Sequence, residues 1–190
     1  MLLDLSVKHG VDGWNVAGRC FRGVLLIRRG DIAAGLELLR TALVSMPETA
    51  FHLHYVQFLD ESVQALGRTG EVAKGLLMIE GALARCEQNE EGWYVPELMR
   101  VKGELLLQDS GDRSATADQY FGRAIKVARR QGALMWELRS AKSLAGLKAR
   151  QGRHDEARQI LAPVYDRFTE GFETTDLRSA RAMLESLPSH

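Results

Sequence analysis

The segment Gly70-Glu71-Val72-Ala73-Lys74-Gly75 has the glycine spacing of a phosphate-binding loop. Such a loop also needs a lysine after its second glycine, to reach the terminal phosphates, and a Ser or Thr to hold magnesium. Leu76 and Leu77 occupy those positions, so the segment reads as a turn between helices and the first turn of the next one. His52 and His54 are two residues apart, which on a helix points them about 200° from one another and rules out a shared metal ion. His9, His154 and His190 sit near turns or termini with no cysteine or carboxylate at ligand spacing. The adjacent acids Asp60-Glu61, Glu90-Glu91 and Asp155-Glu156 read as caps and solvated charges, not as a general acid and base. Arg28-Arg29 and Arg129-Arg130 fall at helix ends, where a cation meets the negative end of the helix dipole. No catalytic residue, metal ligand or cofactor-binding residue is expected, and the chain is not expected to be an enzyme.

Bulk composition excludes further classes. Lys plus Arg equals Asp plus Glu at 25 each, so no net field draws nucleic acid or an anionic membrane. No apolar run approaches the roughly 18 residues that span a bilayer. The opening MLLDLSVKHG lacks the charged leader and small-residue cleavage site of a signal peptide. Cys20 and Cys86 fall in separate predicted helices and read as reduced core residues, which fits a cytoplasmic setting.

The elements that would carry any surface repeat at about 40 residues. Ala117, Phe121, Ala124, Ile125 and Ala128 recur at spacings of three and four, one face of a helix. A glycine, then Gly or Ala about five on, a large residue four on and a small or apolar one three on recur in four copies. These are Gly30, Gly35, Leu39, Ala42; Gly70, Gly75, Ile79, Ala82; Gly111, Ala117, Phe121, Ala124; and Gly152, Ala157, Leu161, Val164. The third copy has one extra residue in its loop. Gly23, Gly103 and Ala145 lie in the leading helices where the paired helix must approach closely.

The pattern predicts four helix pairs, over 12–47, 48–91, 92–132 and 133–171, and a capping helix over 173–188, in one all-α domain. The leading helices are expected over about 12–29, 48–66, 93–108 and 133–150. Their partners are expected over about 32–45, 71–86, 114–130 and 155–168. Asp31 is expected to cap the second helix, Thr174 or Thr175 the last, and Pro163 to kink the helix that contains it. In the last helix Leu177, Ala180 and Leu184 should face inward and Arg178, Arg181 and Glu185 outward. Leu2 to His9 reads as the tail of a helix that begins further upstream.

The series Gly23, Leu26, Gly30, Gly35, Leu39, Ala42, Pro47 resembles the tetratricopeptide signature. The period of about 40 exceeds the standard repeat of about 34 residues, which makes this a variant with longer helices. A narrower resemblance covers nearly the whole chain. LLDLSVKHG, RRGDIAAGLELLRTAL, PELMRVKGELLL, AIKVARRQGALMWELRSAKSLA and LAPVYDRFTEGFETTDLRSARAMLESL are similar to the C-terminal region of large bacterial signalling ATPases of AAA or STAND type. Those proteins often carry a class III adenylate or guanylate cyclase, or a winged-helix transcription regulator, ahead of the ATPase.

The resemblance implies a right-handed αα-superhelix and a regulatory, protein-binding role, with any ATPase or cyclase activity outside these 190 residues. It also implies that the leading helices line a concave groove. The residues placed there are Gln57, Asp60, Gln64, Glu97, Arg100, Glu104, Arg139 and Lys142, after an apolar start at Ala17, Cys20 and Val24. The expected occupant is a peptide, another protein or the parent chain itself. Two alternatives stand beside this reading: a small-ligand or catalytic site in the groove, and a free-standing scaffold that associates with itself. Leu2, Leu3, Leu5, Val7, Trp14, Phe21, Leu25 and Leu26 leave an apolar N-terminal end, so a homodimer through residues 1–30 is expected.

Overall fold

A computed structural model describes residues 12–45, 52–90, 92–109 and 111–188. The readings placed on Leu2 to His9, on Pro47, on Glu91, on His9 and His190, and on the side chains of Trp14, His52 and His54 lie outside the described residues.

Nine helices, and no strand, occur among the described residues. They are α1 (Asp12–Arg28), α2 (Ile32–Val44), α3 (His52–Arg68), α4 (Val72–Gln88), α5 (Val95–Gln108), α6 (Ser114–Arg130), α7 (Leu134–Arg150), α8 (His154–Tyr165) and α9 (Thr175–Ser186). Helices touch mainly their neighbours in sequence, with further contacts of α1 with α3, α5 with α7 and α7 with α9. That pattern is consistent with a helical repeat. None of these helices is long and apolar enough to cross a membrane.

All twelve repeat positions after the turn glycines are buried: Gly35, Leu39 and Ala42; Gly75, Ile79 and Ala82; Ala117, Phe121 and Ala124; Ala157, Leu161 and Val164. The chain divides into two compact units, Met1–Ala84 and Arg85–His190, with the boundary inside α4. In the first, Cys20, Val24 and Ile27 of α1 pack with Leu39 and Ala42 of α2 and with Phe58 and Ala65 of α3. In the second, Leu138, Ala141 and Ala145 of α7 pack with Ala157, Leu161 and Val164 of α8, and Leu177 and Ala180 of α9 close that core.

The close-approach slots are occupied as the spacing predicts. A Cβ built on Gly35 would lie 2.7 Å from the Gly23 carbonyl oxygen and 2.6 Å from Ile27 Cγ1. One built on Gly103 would lie 2.4 Å from Cε1 of Phe121. Neither position has room for a side chain.

Three of the four turns within the helix pairs share one construction. Gly30, Gly70 and Gly152 have φ of 96°, 79° and 75°, and the amide after each donates to a carbonyl five residues back: Asp31 to Leu26, Glu71 to Leu66, and Arg153 to Lys148. This is the Schellman termination, which consumes carbonyls at the helix end. It also explains a departure from expectation at Asp31, whose side chain makes no capping bond. Asp31 ends α1 through its amide and begins α2 through its carbonyl, which accepts from Gly35 N. The turn at Gly111 is built on a side chain: Asp112 Oδ1 accepts from the amide and the hydroxyl of Ser114.

Other boundaries shift for identifiable reasons. α5 begins at Val95, not Trp93, because Pro96 fits only the first turn of a helix. α8 holds Pro163 and stops at Tyr165, short of Phe168, since a proline inside a helix offers no amide to the turn before it. α3 continues through Gly67 and Arg68, which were expected in the turn. Thr174 caps α9 by accepting from Leu177 N. Leu177 and Ala180 are buried and Leu184 is half-buried, while Arg178, Arg181 and Glu185 are exposed, as their spacing predicts.

Candidate interaction surface

The second unit brings five of the eight proposed groove residues into one network. Glu97, in the first turn of α5, is fully buried. A buried carboxylate needs partners, because an isolated ion in a low-dielectric interior is far costlier than a paired one. Arg100 supplies a two-point pair, Nε to Oε2 at 2.9 Å and Nη2 to Oε1 at 2.8 Å. Arg139 of α7 adds a third contact, Nη2 to Oε1 at 2.8 Å. Breaking a pair of this kind by removing one partner costs about 3–5 kcal/mol.

Two further carboxylates extend the network to its ends. Arg100 Nη1 lies 3.6 Å from Glu104 Oε1, which also accepts from Ser143 Oγ of α7 at 2.6 Å. Arg139 Nε lies 3.7 Å from Asp176 Oδ1 of α9, and its guanidinium stacks 5.4 Å from the Trp136 ring centroid. Lys142 donates to Ser179 Oγ of α9 at 2.8 Å. Burial lowers the Lys142 pKa from its ordinary value, Arg100 and Arg139 lower it further, and Asp176 and Glu104 oppose them. Three cations and three carboxylates, drawn from α5, α7 and α9, therefore interlock along one line. Glu104, Arg139 and Asp176 keep between 28% and 38% of their side-chain surface in solvent.

Beside Arg139 the network borders an aromatic group. Trp93 and Tyr94 meet edge-on at 4.9 Å, and Tyr94 meets Trp136 at 5.2 Å. An open cleft of about 530 Å³ is lined by Glu104, Leu107, Gln108, Arg113, Leu147 and Arg150, among others.

The remaining three groove residues belong to the first unit. Gln57 is exposed, Asp60 is buried and Gln64 half-buried, with Gln64 Nε2 donating to Asp60 Oδ2 at 3.0 Å. The apolar start assigned to Ala17, Cys20 and Val24 is corrected: at 1%, 0% and 9% exposure they are core, covered as α3 brings Phe58 against α1. Burial pushes the Cys20 thiol from 9.0 up to about 11, and the neighbouring Arg19 partly offsets this. Both cysteines are buried and lie outside any disulfide.

A second buried acid escaped sequence reasoning. Glu137 of α7 is 1% exposed and takes Arg129 Nε of α6 on Oε1 at 2.9 Å and Arg167 Nη1 on Oε2 at 2.6 Å. Arg129 thus has a defined partner besides the helix end it was assigned to. Nothing in the spacing of Glu137 distinguishes it from a solvated acid, since its partners lie 8 and 30 residues away. Among the described residues no three His, Cys, Asp or Glu side chains are placed to hold a metal ion.

Neither a protein-family model nor a curated protein matches this chain.

Proposed function

We propose that this chain is a non-catalytic, protein-binding helical-repeat module of tetratricopeptide kind, wound as a right-handed αα-superhelix. In this reading it serves as the regulatory C-terminal part of a bacterial signalling ATPase or cyclase. The observation that carries the binding role is the interlocked line Glu97, Arg100, Glu104, Arg139, Lys142 and Asp176. Buried Glu97 fixes two guanidiniums without a ligand, so a partner meets charges whose side-chain entropy is already spent. Alternation of sign along the line favours a polypeptide with its own alternating charges over a nucleic acid, which wants cations alone. Complementarity of this kind governs partner choice and encounter rate more than raw affinity. The burial of all twelve repeat positions supports the repeat reading, and the quoted sequence segments support the assignment to a signalling ATPase.

The test begins with the genomic reading frame around the codon for Met1. Where it encodes an upstream ATPase, turnover is measured with and without residues 1–190 and with the Arg139→Glu and Lys142→Glu variants. Regulation by the intact chain, lost in variants whose circular dichroism is unchanged, supports the proposal. The absence of an ATPase in that frame, or turnover indifferent to residues 1–190, refutes it.

A further inference from the structure

The face of α1 that carries Arg22 and Leu25 is exposed, while the same register is buried on every later leading helix. Aligning the close-approach slots Gly23, Val63, Gly103 and Ala145 makes Leu25 the counterpart of Ala65, Leu105 and Leu147. Those three are 0%, 2% and 3% exposed, and Leu25 is 53% exposed. Arg22 is likewise exposed where Ser62, Lys102 and Leu144 are buried. On α7 the cover is visible. Ser143, Leu144, Leu147 and Lys148 lie toward the preceding pair, where Glu104 of α5 accepts from Ser143 and Asp118 of α6 pairs with Lys148. On α3 the covering elements are α1 and α2. In both cases a helix lies where, on α1, Leu25 meets solvent.

We infer that the Arg22–Leu25–Arg29 face of α1 is a docking site for an amphipathic α-helix that places aliphatic residues on Leu25 and carboxylates on Arg22 and Arg29. Its edge is extended by Phe21, 45% exposed, whose ring meets Phe58 edge-on at 4.9 Å. Arg22 and Leu25 lie three residues apart on α1, and Arg29, just past the end of that helix, follows Leu25 by four with its amide donating to Leu25 O at 3.0 Å, which continues the strip. Arg28, beside them, is engaged by Glu61, whereas Arg22 and Arg29 flank the apolar strip with no acidic partner among the described residues. The charge sets the partner's sign: on α7, the cation Lys148 in this face meets an aspartate of the covering helix. A helix is favoured over an anionic lipid surface because the counterpart face on α7 receives a packed helix, with its ion pair at the margin of an apolar contact. This surface lies on a different unit from the charged line of α5, α7 and α9, and its test is independent of that reading.

The probe is a fluorescein-labelled, stapled 17-residue peptide, the length of α6, with leucines at three- and four-residue spacing and glutamates alongside. Fluorescence anisotropy is read against the full chain. Saturable micromolar binding is expected, weakened about tenfold or more by Leu25→Glu, the scale of loss of one central contact. The double change Arg22→Glu, Arg29→Glu should weaken it severalfold, and Leu77→Glu, at an exposed leucine of α4, should leave it unchanged. The proposal is overturned if no saturation is reached at millimolar chain, if a peptide with lysines in place of the glutamates binds equally well, or if Leu77→Glu matches Leu25→Glu. It is also overturned if phosphatidylglycerol vesicles bind through Arg22 and Arg29 while the peptide does not. Light scattering that shows a concentration-dependent dimer abolished by Leu25→Glu would assign the face to a second copy instead. All variants are checked by circular dichroism, and the exposed positions chosen leave the core untouched.

Discussion

The pairs α1/α2 and α5/α6 occupy the same slot in the repeat and solve the same crossing in different ways. At the first, glycine faces glycine: Gly35 sits against the backbone of α1, with Gly23 O at 2.7 Å and Ile27 N at 2.9 Å from an added Cβ. At the second, the three atoms nearest an added Cβ on Gly103 all belong to the ring of Phe121, which is wholly buried. One crossing rests on main chain and the other on a ring seated in a glycine notch. A main-chain contact has no rotamer with which to yield, whereas a ring can be exchanged for a smaller side chain. The two crossings should therefore break differently and be repaired differently.

The largest effect is expected at the ring. Phe121→Ala should cost about 3–5 kcal/mol, the range for emptying a buried aromatic site. Because repeats share their interfaces, the helices packed beside it should loosen with it. Chemical denaturation reads this directly, and an unchanged midpoint would place Phe121 outside the load on that crossing. Next comes Gly35→Ala, expected to cost roughly 1–3 kcal/mol by overpacking. Combining it with Ile27→Val should recover little, since the Gly23 carbonyl remains in the way. Substantial recovery in that double variant would show that the crossing rests on side chains after all.

Gly103→Ala is expected to cost a comparable or smaller amount, and here the repair should succeed. Gly103→Ala with Phe121→Leu should be more stable than the sum of the two single changes by about 0.5–3 kcal/mol, the coupling found between residues in contact. Strict additivity would contradict a ring-in-notch crossing. The smallest effect is one of pH, and it belongs to the α1/α2 core alone. Cys20 has its thiol pKa raised from 9.0 to about 11 by burial, so folding favours the neutral form. Its contribution is complete below pH 9 and is lost as the pH climbs through 11. The stability gap between the natural chain and Cys20→Ala should therefore narrow from pH 8 to pH 11, and a constant gap would count against a desolvated thiol.

The sequence reveals the repeat because close packing leaves a record. Gly35, Leu39 and Ala42 must be small, large and small at fixed intervals, and each later pair obeys the same sterics. It does not reveal which atoms fill the notch. Gly23 and Gly103 look alike in the sequence, and only the partner helix determines whether a carbonyl or a ring arrives. The charged line was legible in part, since Glu97, Arg100, Glu104, Arg139 and Lys142 fall on predicted helix faces. That Glu97 is buried and shared by two arginines was not, because burial depends on α7 being laid across α5. Glu137 was missed for the same reason. Asp31 was misread because cap preferences consider one helix at a time, and this residue serves two. The start of α5 was there to be read in Pro96.

The turns at Gly30, Gly70 and Gly152 have a consequence that concerns handedness. An added Cβ would meet nothing within 4 Å at any of the three, so size does not select glycine there. What an L-residue lacks is ease at positive φ. A D-alanine has the opposite preference and would suit the backbone of the native turn. Three such glycine-to-D-alanine changes, introduced by chemical synthesis, would stiffen the unfolded chain while leaving every helix in place. At each of these reversals the fold asks for a single residue of the other hand, and glycine is the genetically encoded residue that comes closest.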